Sequence, residues 1–116
     1  MTFAEQLTEI SNEIDFELFI ASHCAAIRDA MKNAAMSGFR TFQIDVVQPC
    51  LGQHAVSKAT AINCYTIICD TNKTKTKIVL VAKKIEDFLY QQGFKDVIIS
   101  NFSNSCWLTR LLKVEW

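Results

Sequence analysis

The sequence KIVLVAKKIEDFLYQQGFKDVIISNFSNSCWLTRLLKVEW, residues 77–116, contains the clearest folding signals in this 116-residue chain. In its first part the apolar residues Ile78, Ala82, Ile85 and Leu89 fall on one helical stripe. Lysine and acidic residues occupy the opposite side. Gly93 ends this predicted helix, because glycine readily adopts the positive φ of a helix C-terminus. Two strand-like runs follow, separated by the turn formers of residues 101–105, and they predict a C-terminal hairpin. The unit carries no catalytic signature.

The first 38 residues predict a long helix. Thr2 and Glu5 match the capping-box pattern of a helix N-terminus. Apolar residues then recur at helical spacing up to a cap at Gly38, and we interpret them as one buried stripe: Leu7, Ile10, Ile14, Phe16, Ile20, Cys24, Ile27, Met31 and Ala35. Ser11 and Asn12 favour bonds to their local backbone, so a break into two helices at this point stays open.

After this helix the apolar period changes from 3.6 to two. Phe42, Ile44 and Val46 alternate with polar residues, which predicts a strand with one solvent-facing side that includes Asp45. Residues 60–69 fit either a strand or a helix face, and we favour a strand because β-branched and aromatic residues dominate there.

Together these elements predict an α+β fold. We expect a long N-terminal helix and a second helix to pack on a small, largely antiparallel sheet that ends in the C-terminal hairpin. No repeat, low-complexity tract or linker divides the chain, so residues 1–116 are expected to form a single domain.

The composition limits the classes of partner. Twelve Lys and Arg balance twelve Asp and Glu, so no long-range field attracts phosphate backbones, and nucleic acid is not an expected partner. Five unevenly spaced cysteines indicate reduced thiols in a cytosol. The longest apolar run, residues 78–82, is too short to span a bilayer, and the first residues lack signal-peptide features. We therefore predict a cytoplasmic protein with no membrane partner.

Two groups of residues could carry chemistry, and neither fits a known pattern well. His23 and Cys24 resemble a nucleophile pair, but neighbouring helical side chains point about 100° apart and cannot bond to each other.

The other group is Cys50, His54, Cys64 and Cys69, which lacks the paired knuckle of structural zinc. Cys64 and Cys69 would also lie on opposite faces of a strand. We predict no metal and no cofactor, with Cys50 and His54 kept as the alternative metal pair.

Large apolar side chains near both ends of the chain are candidates for partner binding. Trp116 is in phase with buried strand residues, so we expect it to close the core. Trp107 and Leu111 share the opposite face of the last strand, and together with Phe3 and Phe16 they are the predicted partner-binding residues.

The pattern IxxFLxxxGFxxV of residues 85–97, with the ending LKVEW of residues 112–116, resembles small accessory proteins of tailed bacteriophages. The likeness covers residues 38–46 and 85–116, and residues 48–76 have no counterpart. Such proteins include virion components, inhibitors of host enzymes and inhibitors of bacterial immunity. The resemblance therefore implies a viral protein in the host cytoplasm and assigns no functional residue.

Three functional hypotheses follow. The first is a non-enzymatic, phage-encoded binding protein that inhibits a host or bacterial-immunity protein by steric occlusion, with a homodimer as one open form. The alternative is a phage virion structural or assembly protein. The third is a small-ligand-binding or cysteine-dependent protein that uses Cys50, His54 or Cys64.

Overall fold

The computed structural model describes residues 2–49, 61–69, 78–103 and 107–116. These residues form two helices and four strands in the order α1 Phe3–Met36, β1 Thr41–Pro49, β2 Cys64–Ile68, α2 Ile78–Gln91, β3 Ile98–Ser103 and β4 Trp107–Glu115. The fold is α+β, and the two helices, the strand assignment of β2 and the C-terminal hairpin of β3 and β4 are confirmed.

The four strands form one mixed sheet in the order β2-β1-β4-β3. β1 pairs in parallel with β2 and antiparallel with β4, and β3 pairs antiparallel with β4. The sheet is therefore largely antiparallel, as predicted. β1 and β4 occupy its centre, so each of them pairs with a neighbouring strand along both of its backbone edges.

The core lies between the helices and one face of the sheet. That face carries alternate residues of β1, and the two helices contribute the other half of one continuous buried cluster: Ile27, Met31, Ala34, Phe42, Ile44, Val46, Ile67, Cys69, Val81, Ala82, Ile85, Leu89, Leu112 and Val114. Full burial of each larger aliphatic or aromatic side chain stabilises the fold by roughly 1.5–3 kcal/mol. The period of two in β1 and the period of 3.6 in α2 produce this cluster directly.

The predicted helix boundaries are confirmed by their backbone geometry. The Thr2 hydroxyl accepts a hydrogen bond from the Glu5 backbone N–H at 3.2 Å, which is the N-terminal cap of α1. Gly38 and Gly93 have φ of 92° and 99°. At the end of α1, Phe39 N–H donates to the Ala34 carbonyl at 3.0 Å, the closing bond of a Schellman motif.

Two differences from the possibilities considered above concern α1 and β1: the break that was left open for α1 does not occur, and the expectation for β1 is wrong. α1 continues without a break through Ser11 and Asn12, because both side chains are exposed and water can satisfy their polar groups. The sheet face opposite the core is not solvent-facing at its centre, since Asp45 is only 4% exposed and Val47 only 6%. A third difference, in the apolar stripe of α1, bears on function and is described next.

Candidate functional site

The first half of α1 extends beyond the core. Every residue from Thr2 to Leu18 is exposed except Phe16, which is half-buried and packs against the core cluster. We call residues 2–18 the α1 arm. With a rise of 1.5 Å per residue, the arm is about 25 Å long, and α1 accounts for most of the longest dimension of the molecule, 53 Å.

One side of the α1 arm carries large apolar side chains that are exposed to solvent. Their exposed fractions are 72% for Phe3, 48% for Leu7, 54% for Ile10, 51% for Ile14 and 63% for Leu18. On a helix that turns 100° per residue, all five lie within about 40° of one line. We call these five residues the apolar stripe.

The apolar stripe faces away from the protein's own core. In the second half of α1 the buried side is formed by Ile27, Met31 and Ala34. At 100° per residue, the centre of that side lies about 130° around the helix axis from the centre of the stripe. When α1 buries the side that carries Ile27, Met31 and Ala34 against the rest of the protein, the apolar stripe therefore stays exposed to solvent.

The prediction of a single buried stripe along α1 is consequently wrong for Leu7, Ile10 and Ile14. It is also wrong for Ala35, which is exposed beside the buried Ala34. The switch of faces is visible in the sequence as the step from Ile14 to Phe16, which is two residues instead of three or four. Two residues turn a helix by about 200°, so these side chains cannot share a face. Leu18 was missed for the same reason, since it continues the first face and not the second.

The two halves of α1 also differ in charge. The α1 arm contains five acidic residues and no Lys or Arg: Glu5, Glu9, Glu13, Asp15 and Glu17. Glu5, Glu9 and Glu13 follow at intervals of four on the side of the arm away from the stripe. Arg28 and Lys32 lie in the second half of α1 and are both exposed. The helix is thus acidic and apolar in its first half, and basic along one exposed line of its second half.

A cleft of about 290 Å³ lies beside the second half of α1. Apolar side chains and the exposed residues Arg28 and Lys32 line it, and the apolar residues include Met31, Phe88 and Phe94. Trp116 also lines the cleft, with its ring edge-on to Phe94 at a centroid distance of 6.4 Å. The expectation that Trp116 closes the core is wrong: it follows the end of β4, is 43% exposed and is not among the side chains that pack against the buried cluster.

His23 and Cys24 do not act on each other. Nδ1 of His23 is hydrogen-bonded to the Tyr65 hydroxyl at 2.8 Å, and Phe19 packs edge-on against the imidazole at 4.5 Å. Burial lowers the pKa of His23 and raises the pKa of the Cys24 thiol. Both shifts favour the neutral forms, so this pair has the opposite electrostatics from an activated thiolate.

A small polar cluster occupies the sheet face opposite the core. Gln43 Nε2 donates to Asp45 Oδ1 at 2.9 Å, and the Cys64 thiol donates to Asp45 Oδ2 at 3.7 Å. Thr66, which pairs with Asp45 across the strands, has a buried hydroxyl without a hydrogen-bond partner among the described residues. These neighbours explain how β1 accommodates a buried carboxyl.

The alternative metal pair, Cys50 and His54, lies outside the described residues. Within the described ranges, no group of three or more His, Cys, Asp or Glu side chains is placed to hold a metal ion. Cys69 is fully buried in the core, and burial raises its pKa to about 11. Cys64 lies on the other sheet face beside Asp45, so the two cysteines have the opposite orientations predicted for them.

The four predicted partner-binding residues do not form one surface. Phe3 is the most exposed residue of the apolar stripe, whereas Phe16 packs against the core. Leu111 is half-buried on the sheet face opposite the core, where it pairs with Asp45. Trp107 begins β4, but its side chain lies outside the described part of the structure. Of the three whose side chains the structure describes, Phe3 is the most exposed.

Comparison with known proteins found no matching family model, curated protein or solved structure. Neither helix in the described part of the chain is both long and apolar enough to cross a bilayer.

Proposed function

We propose that this protein is a non-enzymatic binding protein that acts by covering part of another protein, and that the α1 arm is its binding element. The observation that supports the proposal is the apolar stripe, which is exposed and faces away from the protein's own core. An amphipathic helix that presents apolar residues at intervals of three and four is a common way to occupy a groove on a partner.

The energetic contribution of the stripe can be estimated from its exposure. Full burial of a large aliphatic or aromatic side chain contributes roughly 1.5–3 kcal/mol. The stripe residues are between 48% and 72% exposed. Covering all five therefore contributes roughly 4–9 kcal/mol. Association costs about 4–15 kcal/mol, so a stable complex also needs contacts from residues that flank the stripe.

The biological setting of the proposal comes from the sequence resemblance to accessory proteins of tailed bacteriophages. In that setting the partner is a host or bacterial-immunity protein in the host cytoplasm, and the bound α1 arm inhibits it by steric occlusion. Inhibition of this kind requires no catalytic group on the inhibitor. It requires enough buried surface for the inhibitor to dissociate more slowly than the natural ligand of the target.

The proposal is tested by capture from a bacterial lysate with three tagged proteins. The first is the natural chain, and the second carries Leu7→Glu and Ile14→Glu, which place charge in the stripe. The matched control carries Thr8→Glu and Asn12→Glu, which add the same charge to the same arm on a different side. Circular dichroism of all three establishes that α1 is intact.

We expect the natural chain and the control to retain the same bacterial protein in a fixed ratio, and the stripe variant to lose it. Undiminished capture by the stripe variant would show that the binding element lies elsewhere. Isolation of the natural chain as a large, defined oligomer without a bacterial partner would favour the virion assembly hypothesis instead.

A further inference from the structure

We infer that a second copy of this chain covers the apolar stripe when no foreign partner is bound, with the two α1 helices side by side and antiparallel. The inference rests on the proposed function, because it takes the apolar stripe to be a docking surface. It goes further by naming the occupant, the orientation and the residues that meet.

The first argument is that the stripe continues along α1 as a line of small residues. With 100° per residue, Ala21 and Ala25 lie within about 20° of the line through the stripe. Both alanines are exposed. A single antiparallel register places Leu18 of one copy against Ala21 of the other, and Ile14 against Ala25. Large residues then face small ones, which lets two helices approach closely.

The second argument is charge complementarity. The same line passes through Arg28 and Lys32, which are exposed in the second half of α1. In the register above, Leu7 lies against Lys32 of the second copy, whose aliphatic stem covers it. Glu13 comes within one helical turn of Arg28 of the second copy. A parallel pair would instead bring two acidic arms together, which is unfavourable.

The third argument is the cleft beside the second half of α1. The antiparallel register brings Phe3, at the far end of the arm, level with Met36 of the second copy and so next to its cleft. An apolar cavity of about 150 Å³ is large enough to hold benzene, and the cleft measures about 290 Å³. Phe94 and Trp116 present their rings there, so Phe3 would bury its own ring and part of Trp116.

The area that this pairing covers is large enough for a specific interface. The five stripe residues expose about 500 Å² per copy, and the surface that they cover on the other copy has a similar area, so the pair buries roughly 2,000 Å² in all. That value lies at the upper end of the standard range for specific interfaces. Because each copy contributes the same surface, the pairing is a closed twofold arrangement that does not propagate into filaments.

The oligomeric state is measured on the purified full chain by sedimentation equilibrium between 1 and 100 μM. We expect the monomer to predominate near 1 μM and a species of twice the 13.1 kDa chain mass to predominate near 100 μM. We also expect the dimer dissociation constant of the Leu7→Glu, Ile14→Glu variant to be at least about 100-fold higher, because dimerisation would bury its new charges in an apolar interface. The Thr8→Glu, Asn12→Glu control should remain a dimer. A natural chain that is monomeric at 100 μM would overturn the inference.

The orientation is tested by mixing two single variants, Leu7→Cys and Lys32→Cys, under mild oxidation. Mass spectrometry of proteolytic peptides separates the new disulfides from any formed by native cysteines. A mixed disulfide between positions 7 and 32 is the expected result, since these positions are about 37 Å apart within one copy. A disulfide that joins two copies at position 7 would overturn the antiparallel arrangement.

The inference and the proposed function fail separately. A monomer that still captures a bacterial protein through the stripe would overturn self-pairing and leave the proposed function standing. A dimer whose stripe variant captures the same bacterial protein as the natural chain would support self-pairing and remove the arm from the proposed function.

Discussion

Truncation of two isoleucines on the same helix should change the free energy of unfolding by very different amounts. Ile27 is fully buried in the core, whereas Ile10 in the apolar stripe is 54% exposed. We predict that Ile27→Ala lowers the free energy of unfolding by about 2–5 kcal/mol, which is the usual cost of removing a large aliphatic side chain from a core and leaving a cavity. For Ile10→Ala in the monomer we predict a change close to zero.

The estimate for Ile10 follows from two small terms of opposite sign. Its side chain is more than half exposed and is not among those that pack against the core, so truncation removes little packing. Alanine has a higher helix propensity than isoleucine by a few tenths of a kcal/mol, which favours the variant. Since the remaining effect requires a second copy, Ile10→Ala should destabilise the protein only at concentrations where it dimerises.

Urea denaturation followed by far-UV circular dichroism, at 1 μM and at 100 μM, separates these contributions. The unfolding midpoint of Ile10→Ala should match that of the natural chain at the lower concentration and fall below it at the higher one. The midpoint of Ile27→Ala should be low at both. A loss of 2 kcal/mol or more for Ile10→Ala at 1 μM would refute the reasoning, because the stripe would then be packed within the monomer.

Three further predictions concern the body of the protein. Burial lowers the pKa of His23, so as the pH falls through about 6.5 the unfolded chain binds a proton before the folded protein does. Stability should therefore be retained above that pH and decline below it. In urea midpoints measured between pH 7 and pH 5, His23→Gln should show a smaller decline than the natural chain. Cys69 is buried with its pKa raised to about 11, so it should resist iodoacetamide at pH 8 until the protein is unfolded, as peptide mass mapping would show; rapid labelling of the native protein would contradict its placement. Gly93 has a φ of 99°, so Gly93→Ala should cost about 1–2 kcal/mol in urea unfolding, and an unchanged midpoint would contradict the left-handed cap of α2.

Local signals in the sequence predicted the type of each helix and strand in the described residues, although β3 continues to Ser103, into the stretch predicted as a turn. The capping pattern of Thr2, the glycines at 38 and 93, and the periods of 3.6 and two each depend on residues within a few positions of one another. Such signals reflect backbone sterics and the local separation of apolar from polar side chains, so they predict element type and approximate boundaries.

Features that depend on contacts between residues far apart in the sequence could not be predicted from local patterns. The order β2-β1-β4-β3 requires β1 to pair with strands about 20 and 70 residues further along the chain, which no local pattern specifies. Asp45 occupies the polar phase of β1 and was therefore expected to face water. Its burial depends on Gln43 and Cys64, whose proximity follows from the pairing of β1 with β2.

Only part of the candidate site was predicted from the sequence. Phe3 was identified, but Leu7, Ile10 and Ile14 were assigned to the core because helical spacing alone does not say which face meets the sheet. The two-residue step between Ile14 and Phe16 was the available signal, and the acidic bias of residues 2–18 was another. Both become interpretable once the core is known to begin at Phe16.

Amide hydrogen exchange of the α1 arm tests whether the apolar stripe is a protein-docking surface. Peptides that cover residues 3–15 would be compared at 1 μM, at 100 μM and in the captured complex, with residues 27–34 as the internal reference. We predict rapid exchange in the arm at 1 μM and at least about tenfold slower exchange when the stripe is covered, while the reference stays protected throughout. Equal exchange of the arm in all three samples would contradict the assignment of this surface.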